Sequence, residues 1–443
     1  MKKVLILDIY RDSNYRISKD TNGGYGTEND FGTGIIPSVL SRVTKKSLFW
    51  PPLSALNLLS EFLRDNNFII KFSHEINSVD HDVDYIFLTT SIVCSKTELN
   101  CAQRLRIAFP KIRIYAIGPF AKILQTEYNK LGVTIIDGEP EFLFQNIKIN
   151  SANLNLINAE NIFSIIKKNP DQLADPLWVK STNSLTRNYL FGYQNGYIPI
   201  IATRGCPYSC FEYCVYPLTQ GKLVNSTNPE KILNDINFIN KHTGSSNFVF
   251  RDPVFSINKK YTNELLIALQ NNRRSKKGKS YSFTIETHLN NINDDLASNF
   301  YAAGINWVKF GIESADMSVK ENVNRYSLEN DEQIKKVKIC KKYNLKTVAM
   351  YILCQPDDTL ITHNKTIDYS KALRTNLAQF SLFTPYPGTP YFLKNKDSLI
   401  TNDFEKYNQY NLIYKHNIFN ANSAKKELGR AYSSYYINKL FHV

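Results

Sequence analysis

Residues 197–214 read YIPIIATRGCPYSCFEYC, and this stretch decides the fold. Its first half, YIPIIATR (197–204), is a short apolar run of strand character. Gly205 and Pro207 then break it into a loop that carries Cys206, Cys210 and Cys214. βα barrels gather their reactive groups past the carboxyl ends of their strands, so three thiols here mark a site rather than a core. Three thiolates can hold three irons of a cubane cluster and leave the fourth iron without a protein ligand. A structural zinc or an electron-transfer cluster wants four ligands, and no second CxxC stands nearby. Cys94, Cys101, Cys340 and Cys354 read instead as small buried hydrophobes.

Downstream, strand-like runs recur at NFVFRD (247–252), YSFTIET (281–287), NWVKFGI (306–312), KTVAMYIL (346–353) and AQFSLFTP (378–385). Helical patterns separate them, among them PEKILNDINFINKH behind an N-cap at Asn228 and DDLASNFYAAG closed by Gly304. Six βα units over 196–395 are too few for a closed eight-fold barrel and predict an open partial (βα)6 barrel of the TIM type. The tail, 396–443, is rich in Tyr and Asn, turns helical near its end, and is expected to pack over one mouth or face of the barrel.

Upstream, 1–150 alternates apolar runs at 3–9, 68–72, 83–90, 112–118 and 133–137 with helical stretches such as PPLSALNLLSEFLRDN. That pattern predicts α/β architecture: a doubly wound parallel sheet covered on both faces. Such domains bind ligands past the strand ends, here GPFA (118–121) and DGEPE (137–141). The glycine-rich insert NGGYGTENDFGTG lacks dinucleotide GxGxxG spacing and reads as a ligand-side loop. Residues 151–195 mix Asn, Pro and short apolar patches and read as a linker between domains with separate cores.

The chain has 443 residues, 43% of them hydrophobic and 21% charged, enough to bury two or three domain cores. With 54 Lys and Arg against 40 Asp and Glu, the net charge of +14 permits an anionic partner without naming one. No apolar run approaches membrane-spanning length. Seven cysteines, an odd number in a long chain, point to a reducing cytoplasm rather than a disulfide scaffold. No zinc finger or RNA-binding motif appears, so nucleic acid is not an expected partner.

TRGCPYSCFEYC resembles the cluster loop of the radical S-adenosylmethionine (radical SAM) superfamily, and the barrel agrees strand by strand. FRDPVF resembles the acidic motif near the SAM amino group and puts Asp252 forward. IETH offers Glu286, and FGIES resembles a G-x-E-S element offering Glu313 and Ser314. YILCQPDDT and TPYPGTPYF resemble the endings of strands five and six in the subgroup with a cobalamin-binding domain in front, and the first half resembles that domain. The resemblance implies a [4Fe–4S] cluster on Cys206, Cys210 and Cys214, SAM as co-substrate, and cobalamin against Gly118, Gly138 and Glu139. It further implies a small-molecule substrate and an electron donor of flavodoxin or ferredoxin type.

Two features depart from the family pattern. The spacing here is CxxxCxxxC, one residue longer than the usual CxxxCxxC, and the first domain has no D-x-H-x-x-G motif. His74 and His81 stand elsewhere and read as surface residues, so a corrinoid held here would lack a histidine on cobalt. Cobalamin-dependent methylation and a relic domain beside rearrangement or dehydrogenation both stay open. A methylthiotransferase would add a further cysteine-bearing domain, and a plain iron–sulfur redox protein would not leave an iron open. The basic run 273–279 reads as a solvated loop or as a dock for an acidic electron donor.

Overall fold

The computed structural model describes residues 1–45, 51–79, 82–147, 162–181, 198–208, 212–275, 280–325 and 327–441. Cys210, His81, Lys276, Lys277 and Lys279 lie outside the described residues, as does most of the stretch read as a linker.

Six parallel strands form the first sheet: β1 (Lys2–Leu7), β2 (Phe68–Ser73), β3 (Tyr85–Thr89), β4 (Arg113–Ile117), β5 (Thr134–Asp137) and β6 (Ile162–Ser164). Their order is β2-β1-β3-β4-β5-β6, with Val4 opposite both Ile70 and Tyr85. The connection reverses between β1 and β3, which opens a crevice past their carboxyl ends. Every residue of β3 is buried, the mark of a parallel strand covered on both faces.

β6 corrects the linker reading. Only three residues long, Ile162-Phe163-Ser164 shows no period of its own, yet it pairs with Ile135–Asp137 as the sixth strand. Trp178, in the helical turn Trp178–Ser181, is buried in the main core. A helix unmarked by the sequence reading, α1 (Ile35–Lys45), follows the glycine-rich insert and precedes α2 (Leu53–Arg64).

The second sheet comprises β7 (Ile198–Ile200), β8 (Asn247–Phe250), β9 (Ser282–Glu286), β10 (Ile305–Glu313), β11 (Lys346–Leu353) and β12 (Leu377–Leu382). They run parallel in chain order, and no pairing joins β12 to β7 among the described residues: an open six-stranded barrel. The helices α3 (Pro229–Thr243), α4 (Lys259–Ser275), α5 (Asp294–Ala303), α6 (Asn330–Lys342) and α7 (Leu360–Ala372) return the chain between strands. Asn228 caps α3 by accepting from Glu230 N, and Gly304 ends α5 at φ +90°. In the basic run, Arg273 at the end of α4 donates to the carbonyls of Tyr301 and Ala302 at the end of α5. This part of it is a structural cap rather than a free docking loop.

The tail ends in α8 (Ala421–Phe441), which packs on β12 at the outer face of the barrel. The Tyr432 hydroxyl accepts from Phe380 N at 3.0 Å and donates to Phe380 O at 2.8 Å. The two domains do not keep separate cores. One face of the first sheet (Val4, Phe87, Tyr115) and the barrel strands (Ile198, Phe248, Phe310) belong to one continuous buried cluster.

Candidate active site: two cavities with a common wall

The glycines at the strand ends of the first sheet open a cavity of about 350 Å³ against the barrel. Gly118 sits at φ +108°, and a Cβ there would stand 2.8 Å from the Thr90 carbonyl, so only glycine fits the turn. Gly138, at φ +114°, packs on Ile165, and the glycine-rich insert supplies Gly23 and Gly24 to the same cavity. The ligand-side expectation for all three loops agrees with this placement. No histidine lines the cavity among the described residues. His74 is half-buried beside Asp8, its Nδ1 2.9 Å from the Asp8 carbonyl, and does not line the cavity.

Glu139 lines this cavity, but its carboxylate is engaged by the barrel. One oxygen lies 3.0 Å from Arg204 Nε and the other 3.1 Å from Lys168 Nζ. Arg204, 2% exposed, also reaches Glu141 at 3.3 Å and lies over the Phe142 ring. Burial, with Glu139 beside it, pushes the Glu141 carboxyl up to about 7. In the sequence Arg204 is only a letter of the cysteine motif; its partner acids, more than sixty places upstream, give no local signal.

The second cavity, about 490 Å³, is the barrel lumen. Cys206 and Cys214 both border it, and Cys210 lies outside the described residues. Gly205, at φ +85°, makes the bend that aims Cys206 inward; a Cβ would collide with Leu223 O at 2.1 Å. The other four cysteines are buried, and burial pushes the thiols of Cys94, Cys101 and Cys340 up to about 12, as suits core residues. Two described thiols on a turn at the lumen therefore fit the donor set a cubane needs, whereas none of the buried four does.

Asp252 borders the lumen at the end of β8 but spends its oxygens on the strand beside it. Oδ1 accepts from Ala202 N at 2.9 Å, and Oδ2 accepts from Thr203 N and Thr203 Oγ1 at 2.8 and 2.7 Å. These bonds end β7 at Ile200 and turn Thr203–Arg204 into a two-residue ribbon with Asn225–Ser226, which is why the expected strand 197–204 is broken. Burial raises the Asp252 carboxyl to about 6 against those bonds. Asp252 thus holds the approach to the cysteine loop while bordering the lumen.

Glu286 and Glu313 face the lumen as expected. Glu313 adopts φ +66°, and its carboxylate folds back over Gly311, where a Cβ would meet Oε1 at 2.1 Å. Arg325 braces the pair, Nη2 standing 3.7 Å from Glu313 Oε1 and 3.2 Å from Gly311 O. The buried hydroxyl of Ser314 faces Thr366 on α7 at 3.2 Å, and the residue stands behind the lumen lining rather than in it.

Asp20, Tyr216 and Arg251 border both cavities and form their common wall. Arg251 Nε lies 2.7 Å from Asp20 Oδ2, and Asp20 Oδ1 accepts from Leu53 N at the start of α2. None of the three was singled out from the sequence, because the ion pair joins loops 231 residues apart in the chain.

Residues 200–369 match the model of the radical SAM superfamily. An uncharacterized methyltransferase of Pyrococcus horikoshii is 29% identical over 241 residues, 54% of this chain and 51% of that protein. Bacteriochlorophyllide d C-12(1)-methyltransferase of Chlorobaculum tepidum is 28% identical over 222 residues, 49% of this chain and 47% of its own. The chain thus spans about half the length of the curated relatives it matches. Among solved structures, the radical SAM methyltransferase TsrM of Kitasatospora setae, with cobalamin and a [4Fe–4S] cluster bound, superposes with a TM-score of 0.67 at 13% identity, covering 97% of this chain and 91% of TsrM. The cobalamin-dependent radical enzyme OxsB, with aqua-cobalamin and SAM bound, gives 0.62 at 12% identity over 92% of this chain and 56% of its own. Residues 200–369 of this chain are thus similar to the radical SAM superfamily, and the chain as a whole shares the fold of TsrM and OxsB, with a doubly wound domain in front of that region.

Proposed function

We propose that this protein is a radical SAM enzyme that methylates a small molecule, with a [4Fe–4S] cluster held by Cys206, Cys210 and Cys214 and a corrinoid held in the glycine-lined cavity. The observation that carries the reading is the common wall: a strand-end cavity of the first domain and a cysteine-bordered lumen meet across Asp20, Tyr216 and Arg251. When bound, the cluster supplies the electron that cleaves SAM, and the corrinoid supplies a methyl carrier. The chain's own residues orient and enclose. Glu286 and Glu313 present carboxyls to a cationic ligand in the lumen, Arg325 fixes Glu313, and the insert after β1 roofs the mouth against water. The relatives named as methyltransferases support this reading over rearrangement or dehydrogenation.

Anaerobic reconstitution tests it. The protein should take up about four irons per chain, and Cys206→Ala, Cys210→Ala or Cys214→Ala should lose them while Cys94→Ala and Cys340→Ala do not. Reduced in the presence of SAM, by dithionite or by a flavodoxin-type donor, it should form 5′-deoxyadenosine. Supplied with hydroxocobalamin, it should retain the corrinoid, with no nitrogen splitting in the Co(II) resonance. Full iron content in the triple cysteine variant would sink the cluster assignment, and failure to retain corrinoid would remove cobalt from the reaction.

A further inference from the structure

The lumen carries three cations brought together by three separate elements. Arg16 comes from the insert after β1, Arg251 from the end of β8, and Lys309 from β10. Lys309 is the most telling. It is half-buried inside the lumen, and among the described residues its ammonium makes no hydrogen bond and no ion pair. Burial lowers its pKa, with Arg251 and Arg16 acting in the same direction and Glu286 opposing them. Arg16 is lowered likewise, by burial first and then by Arg251.

The carboxylates of the lumen do not resolve this. Asp252 accepts three hydrogen bonds from 202–203, and Glu313 stands 3.7 Å from Arg325. Asp20 divides its oxygens between Arg251 and the amide of Leu53. Glu286, the register partner of Lys309, has its carboxyl raised by burial and forms no ion pair within 4 Å among the described residues. Gathering like charges away from water costs free energy that Asp20, paired with Arg251, and Glu286, beside Lys309, offset only in part, and an entering oxyanion would offset more of it. A guanidinium fork and an ammonium together suit a carboxylate or a phosphate.

We propose that the mouth of the lumen binds an oxyanion, a carboxylate or phosphate, through Arg16, Arg251 and Lys309, and that this group belongs to the methyl-accepting substrate. The proposal rests on the function proposed above for its word "substrate", but the anion site stands on the cations alone. Because Arg16 comes from the first domain, the site lies where the roof meets the barrel. SAM carries a carboxylate too, so the test must separate the two sources.

Pyridoxal 5′-phosphate is a suitable probe, since it joins a phosphate to an aldehyde. The neutral amine of Lys309 would add to the aldehyde, water would leave to give an imine, and borohydride would supply hydride to fix it as a secondary amine. The full-length, cluster-reconstituted protein is labelled with and without saturating SAM and mapped by peptide mass spectrometry. Lys309 should take label at least about tenfold above the mean of the other lysines. Arg16→Gln should cut that about tenfold, Lys309→Gln should abolish it, and SAM should leave it unchanged. Labelling of Lys309 at the level of other lysines, or equal labelling in Arg16→Gln, overturns the site. Loss of label with SAM assigns the cations to SAM itself and overturns the substrate claim. 5′-Deoxyadenosine formation, measured on the same preparations, reports separately on the radical SAM reading.

Discussion

Asp252 shows how one carboxylate fixes the approach to a reactive loop. Its three accepted bonds hold residues 202–203, which stand three to four positions before Cys206. Asp252→Ala should therefore lower stability by roughly 3 kcal/mol, the scale of losing several bonds to a buried acceptor, and should lower iron uptake as well as SAM binding. Urea denaturation and iron analysis check this; unchanged iron in a folded variant would return Asp252 to a purely SAM-facing part. Glu141 provides a pH-dependent test. Its carboxyl is raised by burial and by Glu139 to about 7, against about 4.5 in an unfolded chain. Because the folded state holds this proton more tightly, the wild type loses stability as pH rises from about 4.5 to about 7, and the cost is complete above that. Glu141→Gln cannot titrate, so its Tm relative to wild type should climb by a few °C between pH 5 and pH 8. A difference independent of pH would mean that Glu141 stays charged throughout.

At the scale of elements, the tail helix is pinned to the first domain by two glycines. Gly429 on α8 faces the chain at Thr33, where a Cβ would stand 1.9 Å from Thr33 O, and a Cβ on Gly32 would stand 2.6 Å from Gly429 N. Backbone meets backbone there, so Gly429→Leu must push α8 away from the insert; we expect a loss above the usual 1–3 kcal/mol of overpacking and earlier tryptic cleavage near α8. Cleavage at the wild-type rate would show that the crossing yields without cost. Part of the fold was legible in the sequence and part was not. β3 announces itself by a continuous buried run and β10 by its alternation, and Glu313 was legible through the resemblance of FGIES to a known element. The three residues of β6 carry no period, and α1 follows a glycine-rich insert that reads as loop throughout. Lys309 stands at an inward position of β10 that reads like any alternating strand residue. Its meaning depends on Arg16 and Arg251, which only the assembled fold brings beside it.

At the scale of the molecule, the shared core changes what the two cavities can do independently. Gly118→Trp, expected from separate cores to expel corrinoid and spare the cluster, should instead disturb both, since the first sheet and the barrel are buried together. The more specific link is Arg204. It joins Glu139 and Glu141, which border the first cavity, to the residue pair that leads into Cys206 at the second. A buried cation with two acid partners is costly to desolvate and holds its shape only while both sides are in place. Filling either cavity should then steady the other, and the effect must be equal in both directions. Hydroxocobalamin should bind cluster-loaded protein about tenfold more tightly than cluster-free protein by equilibrium dialysis, a coupling within the usual range. Arg204→Met should bring that ratio toward one, whereas Lys168→Met, which removes only a peripheral partner of Glu139, should leave most of it. A wild-type ratio of one, or a ratio that survives Arg204→Met, would reduce the network to a structural clamp between domains.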